Sequence, residues 1–309
     1  MRVLWVGVAA LVAGCLFPDL SALDQGADAS SPESGDAPAS EAGDASDAGL
    51  CDPTETFATP SLLPGLDTLY ASNGRLSLDE TEIFFQIYGD GGVAAIVHAT
   101  RPSAGSAFGA WTALASIDTA GNNWDAMLSA DGVTLVFAST RSTEDIYSAT
   151  RPSPSQDFGA PAPITAVDVT TVNKPYVQGL NVALWYESFA TGNGDIYVAP
   201  SFDGSYNLGG VVPELSTAAE EDFPVVNAGA TLIYFARSGL ADAGGSANAN
   251  IWFAQRATAS DPWNPPSLVA ELNTTADQNP TWLSPDLCRL YFSSDRSGVY
   301  ELYVASRTP

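Results

Sequence analysis

Short apolar runs alternate with polar turns along most of this chain, and helical periodicity is nearly absent. From Phe57 onward the alternation repeats. A β-rich run recurs at 83–86, 135–139, 184–188, 232–236 and 290–294. Each is followed by a second run, at 95–101, 145–151, 195–199, 250–256 and 301–307. The alanines of these second runs, Ala99, Ala149, Ala199, Ala254 and Ala305, lie 50, 50, 55 and 51 residues apart. An earlier strand precedes each pair, and an aromatic-led strand follows four of them, beginning near Phe108, Phe158, Tyr206 and Trp263. Four short strands per repeat of this length make one propeller blade. The pattern predicts an all-β, five-bladed β-propeller over residues 56–309, with four antiparallel strands per blade.

The last repeat ends after its third strand. Its missing fourth strand has a candidate at 57–63, which reads like 158–164. An N-terminal strand completing the final blade closes the ring and removes open sheet edges. Cys51 lies just before that strand. Cys288 lies between the first and second strands of the blade it completes. Antiparallel order puts both at one end of the blade, so a Cys51–Cys288 disulfide is expected.

The final repeat resembles the WD-repeat-like propeller motif of TolB and its relatives. It runs from Asn279-Pro280-Thr281-Trp282-Leu283-Ser284-Pro285-Asp286 through Ser294-Asp295-Arg296-Ser297-Gly298 to Glu301-Leu302-Tyr303-Val304. The second blade matches in part through Ser129-Ala130-Asp131-Gly132. The TolB group has six blades, which is the alternative count. The resemblance implies protein partners and a central channel whose mouth carries blade-specific loop residues. No separate N-terminal α/β domain such as TolB has is expected ahead of the repeats.

Ahead of the repeats the composition changes twice. Arg2 precedes an uninterrupted apolar run at 3–13, too short for the roughly 20 residues a spanning helix needs, which is the form of a signal-peptide core. It ends in Leu11-Val12-Ala13-Gly14-Cys15, which resembles the bacterial lipobox. Residues 1–14 are therefore expected to be a lipoprotein signal peptide, with Cys15 the lipidated residue. In that family Leu16 after the cysteine implies the outer membrane of a Gram-negative cell. Residues 15–55 read as a disordered linker. Between Leu16 and Glu55 stand ten acidic residues and no Lys or Arg, and like charges extend such a segment.

The net charge of −25 opposes nucleic-acid binding. His98 is the sole histidine, which excludes zinc sites needing two imidazoles. No phosphate loop and no nucleophile elbow occurs. No metal or cofactor is expected, and catalytic residues are not assigned. Residues recurring from blade to blade read as structural: Arg101, Arg151, Arg256 and Arg307 close the third strands, and Asp79, Asp131 and Asp286 sit in the first turns. His98 reads as a packed side chain. Blade-specific residues at the channel mouth are the binding candidates: Trp124, Asp125, Arg141, Lys174, Glu187 and Arg296. The sequence thus favours a monomeric, lipid-anchored envelope protein whose propeller is a non-catalytic module for protein or carbohydrate. The alternative is a carbohydrate-active enzyme, hydrolase or lyase, with carboxylates converging at the channel mouth.

Overall fold

The computed structural model describes residues 49–66, 71–88, 92–142, 144–167, 172–178, 183–202, 205–206, 209–239 and 248–308. The expected signal peptide, Cys15 and the linker up to residue 48 lie outside them. Among the described residues no helix is long and apolar enough to cross a membrane.

Five antiparallel sheets form the propeller. After a closing strand β1 (Ser61–Leu62), the first blade is β2 (Ser72–Leu76), β3 (Glu82–Tyr88), β4 (Ala94–Thr100) and β5 (Thr112–Ala113). The second is β6 (Asn123–Leu128), β7 (Thr134–Ser139), β8 (Asp145–Thr150) and β9 (Ala162–Pro163). The third holds β10 (Val172–Gln178), β11 (Ala183–Ser188) and β12 (Asp195–Phe202), with β13 (Ser205–Tyr206) and β14 (Gly210–Val211) both paired to β12. The fourth is β15 (Glu220–Val226), β16 (Leu232–Ser238), β17 (Asn250–Gln255) and β18 (Ser267–Leu268). The fifth is β19 (Gln278–Leu283), β20 (Arg289–Ser294) and β21 (Glu301–Ser306), completed by β1. The innermost strands pack side by side in the order β2, β6, β10, β15, β19 and back to β2.

Ring closure follows the expected route. Ser61 pairs with Val304 and Leu62 with Tyr303. The Cys51 amide donates to the Asp286 carbonyl at 2.9 Å, and Cys51 and Cys288 are joined by a disulfide with Cα atoms 5.1 Å apart. The outer strands are shorter and later than the aromatic positions suggest. They hold two residues each and begin at Thr112, Ala162 and Ser267; in the third blade β13 pairs at Tyr206 as expected and β14 follows from Gly210. Phe108, Phe158 and Trp263 are spent instead as packing beneath an arginine.

That packing is a repeated staple. The guanidinium carbons of Arg101, Arg151, Arg256 and Arg307 lie 4.5, 4.7, 4.1 and 4.3 Å from the ring centres of Phe108, Phe158, Trp263 and Phe57. Each Nε donates to a first-turn carbonyl, of Glu80, Gly132, Ala230 and Leu287 respectively. A stacked, hydrogen-bonded guanidinium is a use to which lysine is poorly suited. Phe57 takes part as the fifth blade's aromatic, so the closing segment is integral to that blade. Asp79 and Asp131 accept from Ser77 and Ser129 at 2.6 and 2.5 Å within their turns. His98 stacks on Phe84 with centroids 4.8 Å apart and meets Glu82 at 3.0 Å.

Internal repetition also exposes one imperfect copy. In the fourth blade Asn273 Oδ1 accepts from the Ile251 amide at 2.7 Å, and its Nδ2 donates to the carbonyls of Ile251 and Val269. In the first blade Asp118 accepts from the matching Ile96 amide at 3.2 Å, with Asn123 and Arg141 beside it, while its buried Oδ2 makes no hydrogen bond of regular geometry. Burial pushes the Asp118 carboxyl up to about 6. A carboxylate whose pKa is raised on folding loses its stabilising contribution as pH rises through the folded value. Asp118→Asn is therefore expected to stabilise the protein by about 1 kcal/mol at pH 8, with less gain at pH 5. Urea unfolding at the two pH values checks it. A loss of stability at pH 8 would contradict the assignment.

Candidate active site

Each innermost strand carries a β-bulge, at 72–75, 124–127, 173–176, 222–225 and 280–282. A bulge turns a side chain that regular pleating would direct elsewhere. In four blades the bulge residue has left-handed backbone: Asn73 at φ 54°, Asp125 at 55°, Lys174 at 50° and Phe223 at 48°. Left-handed backbone is uncommon for residues other than glycine, and its recurrence at one repeat position marks a site where strain is kept. All four residues line one cavity of about 310 Å³, together with Gln86, Tyr88, Asn122 and Trp124.

Lys174 organises the floor. Its ammonium lies 2.6 Å from Asp222 Oδ2 and 3.0 Å from Glu187 Oε2, and 4.8 Å from the Phe223 ring centre. Glu187, Glu220 and Asp222 each bring a carboxylate oxygen within 4.8 Å of the others. Such a group of carboxylates could hold a metal ion, but the ammonium already supplies a cation to two of them. Glu187 is completely buried. Burial raises the pKa of both Glu187 and Asp222, and Lys174 opposes the rise. The two carboxylates share one ammonium, so their mutual repulsion favours retaining a proton within the pair.

Asp125 stands on the other side of Lys174. It is 2% exposed. Asn73 Nδ2 donates to its Oδ1 at 2.6 Å, and the Lys174 backbone amide bonds the same carboxylate. Burial raises the Asp125 pKa, while Arg75, Lys174 and Asn73 pull it back. One lysine thus has Asp125 at its backbone end and Asp222 at its ammonium end. Arg75 is completely buried behind them. Its Nη1 donates to the carbonyls of Asp125, at 3.2 Å, and of Pro175. These are the bulge carbonyls that fix Asp125 and follow Lys174, so Arg75 is a positioning residue for both.

Of the sequence candidates, Trp124, Asp125 and Lys174 line the cavity, and Glu187 sits against Lys174. Arg141 and Arg296 are held within their own blades. Arg141 bonds Ser139 Oγ, Asn123 Oδ1 and the Ile117 carbonyl and lies over Phe137 and Tyr147. Arg296 bonds Ser294 Oγ and the Leu272 carbonyl and lies over Phe292 and Tyr303. Sequence reasoning passed over Asn73, Glu220, Asp222 and Phe223. Aligning the repeats on their innermost strands would have put Asn73, Asp125, Lys174 and Phe223 in one column.

The fold and the cavity define a five-bladed propeller with carboxylates converging at its channel. No family pattern and no curated protein matches the sequence. Solved structures do match. An endo-arabinase from Bacteroides thetaiotaomicron aligns at a TM-score of 0.54 and 13% identity, over 81% of this chain and 98% of its own. The catalytic domain of a Coprinopsis cinerea GH62 α-L-arabinofuranosidase aligns at 0.52 and 10% identity, over 83% and 98%. TolB from Acinetobacter baumannii aligns at 0.46 and 13% identity, over 76% of this chain and 54% of its own. At these identities the likeness is one of fold. The expectation of a non-catalytic binding module is nevertheless overturned. The endo-arabinase and the arabinofuranosidase align over 98% of their own lengths, against 54% for TolB. Asp125 lines the cavity, and Glu187 and Asp222 meet at the ammonium of Lys174. The sequence hid this because the acidic residues are scattered over three blades and meet only in the folded ring.

Proposed function

We propose that this protein is a glycoside hydrolase whose reaction takes place in the cavity over Lys174. Arabinose-containing polysaccharide is the first substrate class to test, because the similar propellers are an arabinase and an arabinofuranosidase. The observation that carries the reading is the placement of Asp125 and the Glu187–Asp222 pair about one lysine. Glycoside hydrolysis needs a base for water and an acid for the leaving oxygen. Asp125 faces the cavity and accepts from Asn73 and Lys174. Both donors favour its ionised form and suit it to receive a proton from water. The Glu187–Asp222 pair retains a proton and suits the acid role, reached through Lys174, which lines the cavity. Tyr88, Trp124 and Phe223 supply aromatic surface for the sugar. Incubation of the purified protein with arabinan, arabinoxylan, xylan and cellulose is expected to release soluble sugar from an arabinose-containing member. Release from none of the four would contradict the proposal.

The anchor belongs to the same proposal. A lipid on Cys15 and the acidic linker would hold the propeller at the cell envelope, on the outer membrane of a Gram-negative cell. Cys15→Ser is expected to abolish incorporation of a fatty-acid analogue and to release the protein from membranes. Undiminished labelling of that variant would remove the anchor from the account.

A further inference from the structure

The arginine staples provide an internal control for a second site. In three of the four, the guanidinium also reaches a side-chain acceptor on the preceding blade. Arg101 Nη2 meets Tyr291 Oη of the preceding blade at 3.2 Å, and Glu80 of its own blade at 3.5 Å. Arg151 Nη2 meets Glu82 at 3.0 Å, and Arg307 Nη2 meets Tyr234 Oη at 3.0 Å. Arg256 is the exception. It bonds only the carbonyls of Ala230 and Asp261. The preceding blade presents Trp185 at the position of Phe84, Tyr234 and Tyr291, and Ala183 at the position of Glu82.

The wedge left between these two blades is a cavity of about 350 Å³, walled by Trp185, Val198, Pro200, Val212, Trp263 and Arg256. Trp185 and Trp263 meet edge to face at 6.1 Å. Trp263 is 5% exposed and its indole N–H is buried without an acceptor. The wall is therefore mainly apolar, with the Arg256 guanidinium and the Glu214 carboxylate as its charged features. Burial lowers the Arg256 pKa, the opposite of Arg289, which Glu80 raises. Glu214 also lines the cavity but makes no ion pair with Arg256, and its charge opposes an anion.

We propose that the wedge between the third and fourth blades binds a small monocarboxylic acid with an apolar body. Its carboxylate supplies the acceptor that the sister wedges build into the neighbouring blade, and its apolar part lies against Trp185, Val198 and Val212. This site is separate from the channel cavity and does not rest on the hydrolase reading. A mainly apolar wall with a few polar groups is the usual make-up of a small-molecule site.

Octanoate and octanol are the probes, titrated into the full-length protein by calorimetry. Octanoate is expected to bind saturably at one site, at least tenfold tighter than octanol. Arg256→Gln is expected to remove that difference, while octanol binding persists. Ala259→Trp, at an exposed position lining the cavity, is expected to block both probes and leave unfolding unchanged. Three outcomes overturn the proposal: no saturable octanoate binding at millimolar concentration, octanol binding as tightly as octanoate, or octanoate binding unaffected by the Ala259→Trp plug.

Discussion

Replacing Lys174 by methionine is expected to cost about 3–5 kcal/mol of stability at pH 8. The substitution removes the cation that lies 2.6 Å from Asp222 and 3.0 Å from Glu187. It leaves two buried carboxylates and Glu220 facing one another. Their folded pKa values are already raised by burial, and loss of the ammonium raises them further. With raised carboxylates the folded state is penalised as pH climbs through the folded values and relieved as they protonate. The loss in Lys174→Met is therefore greatest at pH 8 and shrinks towards pH 5. Urea unfolding of both proteins at the two pH values measures it. An equal loss at both, or a loss under about 1 kcal/mol at pH 8, would show that Lys174 is not the counter-ion described.

Opening the clasp is the second large effect. The Cys51–Cys288 bond spans 237 residues of sequence, so it restrains nearly the whole propeller in the unfolded state. The chain-entropy relation gives about 5.5 kcal/mol for a loop of this size, less any native-state strain. The closing segment also supplies β1 and Phe57, which is the seat of the Arg307 staple. Cys51→Ser with Cys288→Ser is expected to keep the five-bladed fold and lose most of that stability. Reduction of the native protein should give the same loss. Equal unfolding midpoints for the oxidised and reduced protein would contradict the clasp.

The fold was legible because its signals are local and repeated. Second and third strands recur with similar residues in similar order, and Ser-x-Asp turns announce the joints. The closing strand was legible because a blade lacking its fourth strand needs one. Strand lengths were not. Aromatic residues look like strand residues in sequence, whereas Phe108, Phe158 and Trp263 are committed to arginine stacking and the outer strands follow them. The site was half legible. Trp124, Asp125, Lys174 and Glu187 stood out as blade-specific and lie together; Arg141 and Arg296 stood out by the same rule and are held within their own blades. Their partners within the blade, Ser139 and Ser294, recur with them and mark a structural motif. Asp222 and Phe223 were hidden in the acidic run 220–222, whose members part company in three dimensions. Glu221 turns to Arg237 at 2.7 Å while Asp222 turns to Lys174. Alternation along a strand decides that, and a bulge shifts it by one residue.

The central claim is that Asp125 and the carboxylates across Lys174 perform catalysis. The rate of sugar release by Asp125→Asn, compared with the native protein at equal folded concentration, tests it most directly. The amide keeps the shape and can still meet Asn73, but cannot take a proton from water. The account predicts a fall in kcat of at least about 10²-fold, with the unfolding midpoint little changed. Hydrolysis by Asp125→Asn at the native rate would contradict it.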